Sequence, residues 1–99
     1  MNIYEHTTSL TTASGSISTV TLNIRGAILR YLLVRAGTSS TVFKTNLIDG
    51  DSITRLNYGF HTGELVDDKI AIPVVGNYTI QIQNASPDDT FRVILSCEE

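Results

Sequence analysis

The sequence predicts an all-β chain, a single antiparallel β-sandwich with an extended N-terminal arm, and three observations predict it. Short apolar runs rich in Val, Ile, Thr and Tyr alternate with clusters of Gly, Asn, Asp and Ser from one end of the 99 residues to the other. Residues 16–24, 78–83 and 90–97 alternate apolar with polar at a period of two, the repeat of a strand with one face in a core. No segment reads as a capped helix. The length suits one domain with one two-layer core.

Residues 1–14 open with Ile3 and Tyr4 and then turn polar. They read as the extended arm, with the sandwich proper over residues 15–99. Ser and Thr keep this region soluble with almost no charge, and Thr suits extended backbone. After Gly15, residues 16–24 place Ser18, Val20, Leu22 and Ile24 on one face and Thr19, Thr21 and Asn23 on the other. Arg25-Gly26 breaks the run. Residues 27–36 are the next strand, and both of its faces are mostly apolar: Ile28, Arg30, Leu32 and Val34 against Leu29, Tyr31, Leu33 and Arg35. A helix competes there, since Leu, Ala and Arg are good helix formers. The flanking Gly26 and Gly37 and the missing cap favour a strand.

Residues 37–40 make a loop, and residues 41–49 a strand with Phe43 and Leu47 on one face. Asp49-Gly50-Asp51 is a turn, with Asp-Gly expected to supply the positive φ of a tight hairpin. Residues 52–58 return, with Ile53 on one face and Leu56 and Tyr58 on the other. Residues 59–68, holding Phe60 and His61, read as the longest irregular segment. Residues 69–75 form a strand interrupted by Pro73, which lacks a ladder donor and so belongs at an edge or a bend. After Gly76-Asn77, Tyr78, Ile80 and Ile82 point inward and Thr79, Gln81 and Gln83 outward. Residues 84–89 are a polar turn holding Pro87. The last strand points Phe91, Val93, Leu95 and Cys97 one way. Roughly seven to eight strands at this short spacing suit a sandwich or barrel.

Composition narrows the function. The net charge is −3 and only 17% of residues are charged, against about 25% in an ordinary domain. Arg25, Arg30, Arg35, Arg55 and Arg92 are scattered and form no basic stripe, which argues against a nucleic-acid partner. No apolar run approaches the roughly 20 residues of a membrane helix. Cys97 is the single cysteine, so no internal disulfide forms; on an apolar strand it reads as a small buried hydrophobe, made in a reducing cytoplasm. The N-terminus lacks the basic and apolar regions of a signal peptide, so synthesis in a cytoplasm without export is expected.

No catalytic constellation emerges. Asp49, Asp51, Asp67, Asp68, Asp88 and Asp89 fall in turns; converging carboxylates suit calcium, but Asp is an ordinary turn residue and the Asp-Gly-Asp tripeptide is no EF-hand loop. His6 and His61 lack metal-ligand spacing. There is no Gly-x-Ser-x-Gly elbow and no phosphate loop. The expectation is a non-enzyme without cofactor or metal. Asn77-Tyr78-Thr79 and Asn84-Ala85-Ser86 match the glycosylation pattern and read as turn residues. Tyr58, Phe60 and His61 flank the long loop and form a possible ligand site, where aromatics could stack on a sugar. The competing reading has Tyr58 and Phe60 capping one end of the core.

The double-sided apolar strand is the best functional clue. One face of a sandwich strand should meet water, so Leu29, Tyr31 and Leu33 form an apolar patch that needs a cover. Ile3, Tyr4 and Leu10 of the arm can supply it; so can a neighbouring subunit. Such an arm buries too little to fold alone but can order along a neighbour by strand addition. Its removal is expected to leave a folded sandwich that assembles poorly.

Residues 76–96, "GNYTIQIQNASPDDTFRVILS", resemble the closing hairpin of small jelly-roll domains, with a Gly-x-Tyr-Thr strand, a polar turn and a Phe-x-Val-x-Leu strand. The polar arm, the compact sandwich and the missing enzyme motif make the whole chain similar to the small virion structural proteins of tailed bacteriophages, nearest to capsid decoration or cement proteins. The resemblance implies a jelly-roll-like fold and a virion location. It implies a homo-oligomer, most often a trimer, bound to viral coat protein and bridging coat subunits. It assigns no individual residue. The alternative is a carbohydrate-binding β-sandwich module.

Overall fold

The structure, a computed structural model, describes residues 2–13, 17–25 and 28–99. Ten strands follow one another: β1 (Ile3–Thr11), β2 (Ile17–Ile24), β3 (Ile28–Arg35), β4 (Val42–Ile48), β5 (Thr54–Asn57), β6 (His61–Thr62), β7 (Glu64–Asp67), β8 (Ile72–Pro73), β9 (Gly76–Gln83) and β10 (Thr90–Glu98). No helix occurs among the described residues. The first sheet runs β1-β10-β3-β7, with β8 also on β3; the second runs β2-β9-β4-β5, with β6 also on β4. All pairs are antiparallel. Taking β5/β6 and β7/β8 as two interrupted strands, first pairs with last, second with next to last, and so inward. That is a long hairpin rolled into two layers, the jelly-roll arrangement.

Alternation decides which side chains fill the space between the layers. Phe91, Val93, Leu95 and Cys97 of β10 are at most 1% exposed, and Tyr78, Ile80 and Ile82 of β9 at most 4%. Phe43 of β4 meets Phe91 of β10 edge to face, with centroids 4.9 Å apart, and joins the two sheets near the starts of both strands. Burial lifts the Cys97 thiol above its ordinary pKa, because the thiolate would lose its water.

Four sequence expectations change. The segment expected as an arm is a strand: all nine residues of β1 pair with β10, from Ile3 opposite Glu98 to Thr11 opposite Thr90, and Leu10 lies in the core. The faces of β3 do not alternate throughout. Tyr31 lies opposite Ser96 and Leu29 opposite Cys97, so Arg30 is an extra residue in a bulge. A bulge shifts the alternation by one, which turns Leu29 into the core beside Leu32 and Val34. Leu29 therefore does not share the outer face with Tyr31 and Leu33. Residues 59–68 are not irregular; they hold β6 and β7, too short for periodicity to reveal. At the Asp49 turn the left-handed residue is Ser52, with φ 64°, and not Gly50. Asp49 Oδ1 accepts from the backbone N–H groups of Asp51 and Ile53 at 2.9 and 3.0 Å, so its side chain shapes the loop. Pro73 sits on β8 at the sheet margin, opposite Ile28 of β3, a place where a residue without an N–H is tolerated.

Candidate interaction surfaces

The outer face of the first sheet grows from cross-strand rows. Thr7, Ile94, Leu33 and Val66 lie side by side on β1, β10, β3 and β7. The next row places Glu5, Ser96 and Tyr31 together. Val66 is 48% exposed, whereas Leu33, flanked by Ile94 and Val66, is 8% exposed. Arg35 donates to Glu64 at 2.6 Å beside the apolar row. Arg30, displaced by the bulge, donates to Glu98 at 3.0 Å on the far side. Both pairs are exposed and so contribute at most about 1 kcal/mol each. Among the described residues no third layer covers this face. The Arg35–Glu64 pair borders a shallow groove of ≈ 380 Å³ that Gly37, Thr62 and Gly63 also line.

The predicted interface residues are therefore dispersed. Tyr31 and Leu33 share the outer face. Ile3 is 67% exposed near the edge of the same sheet. Tyr4 turns the other way and is half-buried; its hydroxyl donates to the Glu99 carboxylate at 2.6 Å, and Arg25 lies over its ring at 4.7 Å. That hydrogen bond, with a second from Asn2, holds Glu99 below its ordinary pKa. Leu10 and Leu29 belong to the core.

The aromatic loop is also divided. Tyr58 packs against the core, and its hydroxyl donates to Asp67 Oδ2 at 2.9 Å. Desolvation raises the Tyr58 pKa, and the bond to Asp67 and that carboxylate's charge raise it further. His61 is half-buried with Nδ1 at 3.1 Å from the Gly59 carbonyl; the carbonyl only accepts, so Nδ1 carries the proton. Phe60 alone points out, 63% exposed, with Lys44 Nζ 5.4 Å from its ring centroid. The Tyr58 and His61 rings meet edge to face with centroids 6.4 Å apart, while the Phe60 ring is turned to solvent.

Sequence reasoning missed a buried polar hub. Asp89 is 7% exposed, and its Oδ2 accepts from the Thr41 hydroxyl at 2.6 Å. Its backbone N–H donates to Thr12 Oγ1 at 3.0 Å, and the Thr12 N–H donates to the Asp89 carbonyl at 2.9 Å. These bonds tie the end of β1 to the loops before β4 and β10. Neighbouring residues far apart in sequence build the hub, so no local spacing announces it. Among the described residues no three His, Cys, Asp or Glu come together to hold a metal.

The outer face of the second sheet is different in kind. Thr19, Gln81, Asn46 and Asn57 form one row, and Thr21, Thr79, Ile48 and Thr54 another. Asn46 donates to Gln81 at 3.1 Å, Thr21 and Thr79 hydroxyls meet at 3.1 Å, and Asn23 donates to Asn77 at 3.1 Å. This is a largely polar face of hydroxyls and amides around Ile48, with side-chain pairs that support the strands.

No protein-family model and no curated protein matches the chain. Solved structures share its fold. YomS, an SPBc2 prophage-derived protein, aligns with a TM-score of 0.54 at 13% identity over 97% of this chain and 96% of its own. FlhE aligns with a TM-score of 0.53 at 12% identity, over 99% and 97%. PliG of Aeromonas hydrophila, a periplasmic inhibitor of g-type lysozyme, aligns with a TM-score of 0.51 at 16% identity, over 95% and 85%. At such identities the likeness is one of fold.

Proposed function

We propose that this chain is a non-enzymatic structural protein of a virion, a capsid decoration or cement protein that docks on viral coat subunits and bridges them. The observation that carries the reading is the outer face of the first sheet, where Val66 is 48% exposed and the half-buried Ile94 and Tyr31 flank Leu33 with no covering layer among the described residues. Apolar area left outside a core marks a contact site when charged residues border it, here Glu5, Arg92 and the Arg35–Glu64 pair. The shared fold with a prophage-derived protein supports the setting. The carbohydrate-binding alternative has less support, because within the aromatic loop Tyr58 is held by Asp67 and Phe60 is the exposed ring.

The test is co-sedimentation of the purified chain with coat-protein shells assembled without it. Val66→Asp places a charge in the apolar row at an exposed position, so the fold persists and binding falls at least tenfold. Phe60→Ala, on the other side of the molecule, binds as the parent does. Equal binding by Val66→Asp, or no binding by the parent chain, overturns the proposal.

A further inference from the structure

We propose that the free edge of β2 is a self-association site, at which a second copy of this chain pairs antiparallel about a two-fold axis and continues the second sheet. The inference goes beyond the coat-docking reading and does not depend on it. That reading uses the outer face of the first sheet; this one uses the margin of the second.

The two lateral sides of the sandwich are built differently. On one side the margin strands are broken into β5/β6 and β7/β8. Pro73 lies on that margin, Ile70 and Val74 tuck into the core, and the Tyr58–Asp67 hydrogen bond joins the sheets. Short strands, a proline and a covering segment are the devices that keep an edge from pairing. On the other side β2 is unbroken and free of proline, and among the described residues no segment pairs with its outer edge. Among the described residues its eight members, Ile17–Ile24, pair only with β9, in unbroken register. They include no charge, no proline and no glycine.

The core is also unfinished along that side. The inward residues Ser18, Val20 and Leu22 of β2 are only half-buried, and so are Tyr4, His6 and Thr8 of β1. One strand further in, Ile80 and Ile82 are at most 1% exposed. A strand added beside β2 would complete the cover of Val20 and Leu22 while satisfying its free backbone groups.

Self-complementarity favours a second copy as the occupant. Two identical strands paired about a two-fold meet residue for residue, and a neutral strand brings no like charges together. With Thr21 on the axis, Val20 faces the partner's Leu22 on the inner side and Thr19 faces the partner's Asn23 on the outer side. Hydroxyl pairing already present between Thr21 and Thr79 then extends across the new junction. The β1 edge suits this less, since it carries the charge of Glu5 into the pairing strand.

The experiment is sedimentation of the full chain across a dilution series, with two double variants. Thr19 and Thr21 point outward and are exposed, so Thr19→Lys/Thr21→Lys and Thr19→Glu/Thr21→Glu fold like the parent by circular dichroism. The parent is expected to form a concentration-dependent dimer, and each charged variant to remain a monomer. An equimolar mixture of the two variants is expected to restore the dimer. A parent that stays monomeric, a trimer, a charged variant that still dimerises, or a mixture that stays monomeric overturns the proposal. Shell binding by Val66→Asp reports separately on the coat-docking reading.

Discussion

The hydroxyl of Tyr58 donates to Asp67 Oδ2 across 2.9 Å and links the two sheets on the side where their margin strands are interrupted. Tyr58 follows β5, and its N–H donates to the Thr45 carbonyl at 2.9 Å. Asp67 ends β7, opposite Leu32 of β3. The bond thus holds the last pairs of two different sheets together.

Tyr58→Phe should cost about 1 kcal/mol, the usual net value of one hydrogen bond. Its pH dependence is diagnostic. The folded state holds the phenolic proton more tightly than the unfolded chain, so this contribution is complete below about pH 10, the ordinary Tyr value, and is lost as pH rises through the higher folded value. Chemical denaturation from neutral to alkaline pH should show the parent's advantage over Tyr58→Phe shrinking above that point. A constant gap would contradict it.

Leu95→Ala should lower stability by about 2–5 kcal/mol. Leu95 is fully buried and lies between His6 of β1 and Leu32 of β3, so both neighbours would border the cavity. An unchanged denaturation midpoint would place this strand face wrongly.

Gly63→Ala should destabilise through the backbone and through contact. Gly63 has φ +76°, and an added Cβ would come within 2.6 Å of the Ser39 carbonyl oxygen. The left-handed conformation alone costs about 1–3 kcal/mol for a side-chain-bearing residue, and overpacking adds to it. Because the Gly63 carbonyl accepts from Ala36 and its N–H donates to Thr41, thermal melting should also become less cooperative.

Removal of residues 1–11 should unfold the chain or leave it molten, contrary to what an arm would do. The truncation strips β10 of one neighbour along its whole length, takes Leu10 from the core, and frees the Thr12 end of the Asp89 hub. Loss of near-ultraviolet dichroism with retained far-ultraviolet signal would mark the molten outcome. A cooperative transition at the parent's midpoint would show that the segment is dispensable.

The strands most legible in the sequence are those with one face in the core and one in water. β9 and β10 alternate without interruption, so Tyr78, Ile80, Ile82, Phe91, Val93, Leu95 and Cys97 could be placed inward from their spacing. Pro73 likewise announced a margin, because a missing N–H is a local property. What the residues determined by themselves was the class of fold, most of the core and the absence of a local catalytic motif. Tertiary structure decided the rest, since each remaining question turned on a partner distant in the chain. The bulge at Arg30 depends on how β3 meets β10, and it moved Leu29 from the outer face to the core. Residues 1–14 read as an arm because Thr and Ser carry little apolar signal, yet nine of them are held by backbone pairing to β10. The Asp89 hub and the Tyr58–Asp67 bond needed the sheets to close before their atoms could meet. Periodicity reports which way a side chain points along its own strand; register, bulges and cross-sheet contacts are set by the strand beside it.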